Sequence, residues 1–183
     1  MRPLRDDPRN HDARGEPKPE PWLRGPLEGT HPLLAPLLYS FEQAREDLAN
    51  LTAGLRDEDL QQRPGGAASL AFQLRHIAGS VDRLATYLAG EQLSPRQMEE
   101  LRAETAAGGA GGIAELLARI EEVFTRVAGQ VRRMDPSALA EPRAVGRKAL
   151  PTTAAGLLTH IAEHTQRHIG EAIVTAKILK NAR

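Results

Sequence analysis

The chain has 183 residues, with 24 basic and 24 acidic side chains and no cysteine. This length fits one domain with a substantial core, and a net charge of zero gives no basic surface of the kind that nucleic acids select. The lack of cysteine excludes disulfides, thiolate metal ligands and a cysteine nucleophile, so histidine and carboxylate remain as possible metal ligands. No apolar run reaches the length of about 18 residues that predicts a membrane span. We therefore expect a cytoplasmic protein that binds neither nucleic acid nor membrane.

The first 33 residues differ in composition from the rest of the chain. Residues 1–20 include ten charged side chains, and this charged, proline-rich start predicts a flexible tail and is not typical of a signal peptide. Residues 21–33 contain Trp22, the only tryptophan, close to prolines. This composition is consistent with an extended strap packed on the domain, and a disordered tail that continues to His31 is the alternative.

Residues 34–181 predict an all-α domain. Apolar side chains recur at three- and four-residue intervals, which is typical of helices with one buried face, and no alternating pattern predicts a strand. A short charged helix should begin at Ser94-Pro95 and end near Thr105, followed by a mobile glycine-rich connection over Ala106–Gly112, and Ala138–Pro151 should be irregular. Four long helices joined in this way indicate a four-helix bundle with an irregular N-terminal extension. The predicted long helices are Leu34–Leu55, Leu70–Ala89, Ile113–Met134 and Thr153–Lys180.

Three histidines follow one another at four-residue spacing in the last predicted helix: His160, His164 and His168. Side chains four residues apart stand on adjacent turns of a helix, so two neighbouring imidazoles can bind one cation. The outer two are about 12 Å apart along the axis, and metal–imidazole bonds of about 2 Å cannot span that distance. At about 100° per residue, His164 and His168 fall on the apolar face and His160 falls at its edge. The pair His164 and His168 is therefore the predicted metal-binding pair.

His76 in the second predicted helix is a candidate third ligand. It lies well off the apolar stripe of its helix and shares that flank with Ser80, Arg83 and Tyr87. A solvated polar face explains this arrangement as well as a cavity that these side chains line. In the cavity interpretation, three histidines from two helices leave a metal with an open coordination position, as catalytic sites require.

The sequence resembles the DinB/YfiT superfamily of four-helix-bundle proteins over about residues 34–180. Two segments carry the resemblance, namely Leu74-Arg-His76-Ile-Ala-Gly-Ser80 with the following Arg83-Leu-Ala-Thr-Tyr87, and His160-Ile-Ala-Glu-His164-Thr-Gln-Arg-His168-Ile-Gly170-Glu171. The resemblance implies a divalent metal bound by His76, His164 and His168. Three imidazoles would accept zinc, nickel or iron, and this ligand set does not choose among these transition metals. The sequence departs from the family pattern at Ile169, where arginine is common, and at Glu171, where glutamine is usual.

Two kinds of chemistry follow from such a site. The metal could activate water for hydrolysis, with Glu163 or Glu171 as the general base, although each carboxylate could instead face solvent or hold the second nitrogen of a ligand. It could also bind a small thiol as thiolate and direct it at an electrophile. The resemblance favours the second route, because relatives include transferases of low-molecular-weight thiols such as bacillithiol. A metal-binding stress-response protein without turnover is the other alternative.

The remaining polar residues near the predicted ligands are candidates for substrate contacts. We expect Ser80, Arg83, Tyr87 and His160 to line the pocket and face the bound small molecule. The resemblance also implies a possible homodimer.

Overall fold

The computed structural model describes residues 18–104 and 111–182. Five α-helices and one β-hairpin account for most of them, and short 3-10 turns lie at Pro21–Leu23, Asp57–Asp59, Pro64–Gly66 and Pro136–Ala140. The helices are α1 (Ala35–Thr52), α2 (Leu70–Leu88), α3 (Pro95–Ala103), α4 (Ile113–Arg132) and α5 (Ala154–Asn181), and the strands are β1 (Pro142–Val145) and β2 (Leu150–Thr153). The predicted tail lies outside the described residues except at 18–20, and the predicted glycine-rich connection does so except at 111–112.

The four long helices form the predicted bundle. Helix α5 packs against both α1 and α2, and α4 closes the bundle by packing against α2 and α1. Phe41 of α1 stacks on Phe124 of α4 with ring centroids 4.2 Å apart. Most of the remaining core is leucine, isoleucine, valine and alanine. Helix α3 lies on the outside of α2 and has no fully buried residue within its bounds.

Side-chain caps fix where the helices begin. The Ser69 hydroxyl accepts a hydrogen bond from the amide of Phe72, which confirms the predicted start of α2. Ser94 and Gln97 form a capping box at α3, where Pro95 takes the first helical position. Thr153 caps α5 through the amide of Gly156.

The prediction that residues 138–151 are irregular was wrong in part. Strands β1 and β2 pair antiparallel, with Pro142 opposite Thr153 and Val145 opposite Leu150. Each strand has only four residues, and each contains one proline, so neither has an alternating pattern long enough to be recognised. Arg143 donates to the carbonyl of Leu88 at 2.8 Å, which ties the hairpin to the C-terminal end of α2.

The N-terminal strap, residues 21–33, lies against α1, but not through its tryptophan. Pro21 is buried, the Tyr39 hydroxyl donates to the carbonyl of Gly25, and Arg24 forms an ion pair with Glu46 at 2.5 Å. Trp22 is 59% exposed and its indole nitrogen donates to Glu20. The strap is therefore held by these polar contacts and by Pro21 and Leu27, which pack against the domain, rather than by burial of the large aromatic ring.

Helix α4 is capped by a residue from another part of the chain. Its N-cap, Gly112, has no side chain, and the Asp57 carboxylate accepts from the amide of Ile113 at 2.8 Å. A Cβ at position 112 would lie 2.5 Å from an oxygen of Asp57, so glycine is what allows the carboxylate to approach. This contact fastens the start of α4 to the turn that follows α1.

We predict that Asp57→Ala lowers the free energy of unfolding by about 1 kcal/mol, the usual cost of losing a helix cap. Urea denaturation monitored by circular dichroism measures it. Glu58→Ala is the control, because Glu58 is exposed and has only a long contact with Arg56. Equal losses in both variants would contradict the assignment of the cap to Asp57.

Candidate metal centre

Helices α2 and α5 bring together the three histidines that the sequence singles out. One ring nitrogen from each of His76, His164 and His168 lies within 4.8 Å of the other two. The Nε2 atoms of His76 and His164 are 3.0 Å apart, and the ring of His168 lies 4.5 Å from both other rings, measured between centroids. All three side chains are half-buried. The arrangement follows from the packing of α2 on α5, since these residues lie on the faces that the two helices turn toward each other.

The second nitrogen of His76 is held by a residue that the sequence analysis did not identify. Glu104, directly after α3, accepts from His76 Nδ1 at 2.8 Å and from Arg83 at 2.5 Å, and it is only 7% exposed. Burial by itself raises the pKa of Glu104, but the hydrogen bonds from His76 and Arg83 outweigh it and hold the pKa below its usual value. An ionised carboxylate can only accept, so the proton of His76 must be on Nδ1. The lone pair of Nε2 therefore faces the other histidines.

His168 is oriented in a similar way by Gln73. The Gln73 amide nitrogen donates to Glu171 at 2.6 Å, so its oxygen must face His168 Nδ1, which is 2.7 Å away. His168 Nδ1 thus donates to Gln73, and its Nε2 is available as a ligand. Glu171 acts on the cluster through Gln73 and lies 3.3 Å from His168 Nδ1. It has the position of a group that holds a ligand's second nitrogen, which is one of the three roles that the sequence allows for it.

His164 completes the cluster as a neutral imidazole. Burial and the charge that His168 and His76 would carry lower the pKa of His164 to about 4. Its Nδ1 is buried without a hydrogen-bond partner in the part of the chain that the structure describes. Its Nε2 faces the lone pair of His76 Nε2, and two such nitrogens at 3.0 Å require a proton or a cation between them. These neutral nitrogen donors fit a divalent transition metal.

A cavity of about 250 Å³ opens beside His76 and His164. Ser80, Arg83 and Tyr87 line it and are each at least 92% buried, which excludes the alternative of a solvated polar face. An apolar wall completes it, formed by Leu84, Leu93 and Leu101.

The polar groups of this cavity differ in what they can offer to a ligand. Arg83 donates to Glu104 through one guanidinium nitrogen, so part of its donor capacity is already used, and its predicted contact with a bound small molecule stays a prediction. The Ser80 hydroxyl donates back to the carbonyl of Ile77 and retains only its acceptor capacity.

His160 lies at the outer edge of the cavity, next to Glu163. His160 also lines it, and its side chain is 47% exposed, in the edge position that the helical wheel predicts. Its Nδ1 is 3.0 Å from Glu163, whose two oxygens both accept from Arg167. Glu163 is therefore engaged in surface ion pairs and does not contact the three-histidine cluster directly, so the structure does not place it as a general base beside the metal ligands.

Comparison with known proteins identifies the family. A model of the DinB superfamily matches residues 40–172 of the sequence. The chain belongs to the DinB superfamily. No curated protein matches this DinB sequence.

Solved structures of similar fold include DinB-like proteins. A DinB-like protein from Bacillus cereus has a TM-score of 0.57 and 16% identity, over 77% of this chain and 89% of that one. A protein from Streptococcus pneumoniae has a TM-score of 0.60 and 17% identity, over 83% and 92%. YfiT from Bacillus subtilis has a TM-score of 0.61 and 15% identity, over 85% and 93%, and is described as a probable metal-dependent hydrolase with an unusual four-helix bundle topology. At these identities the likeness shows the fold alone.

The two departures from the family pattern have different consequences in this DinB chain. Ile169 is 1% exposed and belongs to the core, so no polar group can act at that position. Glu171 accepts from Gln73 and so remains part of the polar network behind His168.

In the described part of the chain, no helix is long and apolar enough to cross a membrane.

We predict that the protein, purified without a histidine tag, binds about one equivalent of zinc or nickel, and that His168→Ala loses it because two imidazoles bind a divalent ion much more weakly. Elemental analysis after gel filtration measures the occupancy. His31→Ala is the matched control, because His31 is exposed and contacts only the amide of Leu33 nearby. Full occupancy in His168→Ala would show that the ligands are wrongly assigned.

We also predict that the metal-free protein loses stability as the pH falls from about 6.5 to about 4. The pKa of His164 is lowered from 6.5 to about 4 and that of His168 is lowered too, so the unfolded chain takes up protons that the folded one excludes. Unfolding is then favoured progressively through this window, and the effect is absent above it. Denaturation midpoints at several pH values measure it, and a pH dependence in His164→Asn as steep as in the wild type would contradict it.

Proposed function

We propose that this DinB protein is a metal-dependent transferase that joins a low-molecular-weight thiol, of the bacillithiol kind, to an electrophilic small molecule. His76, His164 and His168 would hold one divalent ion of zinc, nickel or iron. Such an ion, when bound, lowers the pKa of a coordinated thiol so that the sulfur reacts as a thiolate near neutral pH. The other requirements fall on the side chains around the cavity.

The position of the carboxylates is the observation that carries this proposal. Glu104 and Glu171 lie behind the histidines and accept hydrogen bonds there, and Glu163 is held by Arg167. None of these three is directed at the cavity as a base for water. A metal would lower the pKa of bound water as well as that of a bound thiol, but a thiol starts from a much lower pKa, about 8.5, and depends less on a nearby base. The site is therefore better suited to a thiol than to water.

His160 is the group that can take up the thiol proton. Glu163 accepts at its Nδ1, which leaves Nε2 with a lone pair on the side chain that borders the cavity. Glu163 then has a positioning role through His160 instead of acting as a base itself. The sulfur forms its bond to the electrophilic carbon, the leaving group departs with its electron pair, and the thiol proton ends on His160.

The cavity wall supports an apolar electrophile as the second substrate. Leu84, Leu93 and Leu101 present hydrocarbon side chains next to the histidines, and the Tyr87 ring adds an aromatic surface. A compact aromatic or aliphatic group would be desolvated there, close to the sulfur, which favours reaction by proximity.

Hydrolysis is the second candidate, and the pair of His160 and Glu163 is the observation in its favour. An imidazole oriented by a carboxylate is a suitable general base for water as well as for a thiol. YfiT, which shares the fold, is described as a probable metal-dependent hydrolase. The two functions differ in the nucleophile and can be separated by supplying or withholding a thiol.

We predict that the zinc-loaded protein conjugates bacillithiol to a chlorinated aromatic acceptor and releases chloride. His164→Ala should abolish the activity, because it removes a metal ligand. His160→Gln should lower the rate about 100-fold at neutral pH with metal still bound, as expected for loss of a general base. Chromatography of the conjugate measures the rate, and His31→Ala is again the control.

Three results would contradict the proposal that the protein is a thiol transferase. The first is no conjugate with wild-type protein of full metal occupancy, which would leave a binding protein without turnover. The second is an unchanged rate in His164→Ala, which would place the reaction elsewhere. The third is release of chloride at the same rate without thiol, which would identify a hydrolase.

A further inference from the structure

We propose that Glu104 is a positioning residue for the metal centre, which fixes the proton of His76 on Nδ1 and so presents Nε2 as a ligand, with Arg83 and Gly79 holding Glu104 in place. This inference rests on the proposed metal site and not on the reaction that the site carries out.

Glu104 is much more buried than the residues of α3 that precede it. Helix α3, which it follows, is mostly exposed and contains no fully buried residue, yet the Glu104 side chain is 7% exposed. An apolar side chain would fasten α3 to α2 at least as well, because burying a carboxylate costs desolvation that its partners only offset. A buried charge at this position is therefore better explained by the group that it contacts, which is Nδ1 of His76.

Arg83 fixes the direction of the carboxylate. Its guanidinium donates to Oε1 of Glu104 at 2.5 Å, while Oε2 accepts from His76 at 2.8 Å. The two donors lie seven residues apart on the same face of α2, so the carboxylate bridges two turns of the helix. With both oxygens occupied, Glu104 cannot rotate away without breaking a buried ion pair.

Gly79 leaves the space that the carboxylate needs. It lies between these two donors on α2, and a Cβ there would overlap Oε1 of Glu104 and lie 2.8 Å from a guanidinium nitrogen of Arg83. Glycine inside a helix is less favourable than alanine for the helix alone. The absence of a side chain at position 79 is therefore required by the close approach of Glu104 and not by the backbone of α2.

Because of these contacts, a substitution of Gly79 should affect the candidate metal site even though Gly79 is not a ligand. An alanine at this position touches no metal ligand, but it must displace the carboxylate of Glu104. The proton of His76 then loses its fixed acceptor, and the imidazole is free to populate the tautomer with the proton on Nε2, which cannot bind a metal at that atom.

The test compares Glu104→Gln and Gly79→Ala with Glu100→Gln. Glu100 is the matched control, because it lies on α3 and pairs with Arg96 and Arg119 but does not contact His76. Zinc affinity is measured by competition with a chromophoric chelator. The tautomer of His76 is measured in the metal-free protein by long-range proton–nitrogen NMR of the imidazoles. Circular dichroism establishes that each variant is folded.

We expect the wild-type His76 to carry its proton on Nδ1. Glu104→Gln and Gly79→Ala should shift the tautomer toward Nε2–H and weaken zinc binding by about 10- to 100-fold, the range seen when partners of metal-ligating histidines are removed. Glu100→Gln should leave both quantities unchanged.

Wild-type His76 found as the Nε2–H tautomer would overturn the proposal without any variant. Unchanged affinity and tautomer in Glu104→Gln would overturn it as well, and so would an equal loss in Glu100→Gln, which would indicate a general effect of α3. Neither measurement involves a thiol or an electrophile, so a failed conjugation assay would leave this inference standing, and its failure would leave the transferase untouched.

Discussion

The candidate metal site depends on one constraint: the imidazoles of His76, His164 and His168 must turn their lone pairs toward one another. Neutral imidazole has one donor and one acceptor nitrogen, so a ligand nitrogen is available only if the proton is held on the other nitrogen. The structure meets this condition for His76 with Glu104 and for His168 with Gln73. The packing of α2 on α5 brings the rings together, and these acceptors on their outer side decide which atoms face inward.

The close packing of the three imidazoles also determines their protonation. The lowered pKa values of His164 and His168 keep protons out of the centre at neutral pH, since burial and the mutual repulsion of charged imidazoles oppose protonation. A divalent ion would face the same desolvation, and negative charge nearby offsets it. Glu104 is in contact with one ligand, and Glu171 contacts another directly and through Gln73. The carboxylates would therefore compensate the charge of an ion from behind the ligands without occupying its coordination positions.

The sequence predicts much of this, because much of it depends on periodicity along single helices. The long helices, the bundle and the positions of His164 and His168 on α5 follow from spacing alone. Gln73 could have been noticed as well, because it is a polar residue on the apolar face that Leu70 and Ile77 define. Glu104 could not, since it follows a charged surface helix and its burial arises only from the docking of α3 on α2. The orientation of Arg83 is unpredictable for the same reason, because its partner, Glu104, directly follows α3.

The polar groups that orient the histidines lie on one side of the cluster, and the groups that could act on a substrate lie on the other side. Glu104, Gln73 and Glu171 contact the outer nitrogens of the cluster, while His160 and the leucines of the cavity lie on its open side. A three-histidine set is compatible with either water or a thiol as nucleophile, and it does not choose among zinc, nickel and iron. For this chain, the nucleophile must therefore be selected by the open side. In the proposed transferase, the apolar wall and the oriented imidazole of His160 would suit a reactant that brings its own acidic proton and a soft donor atom.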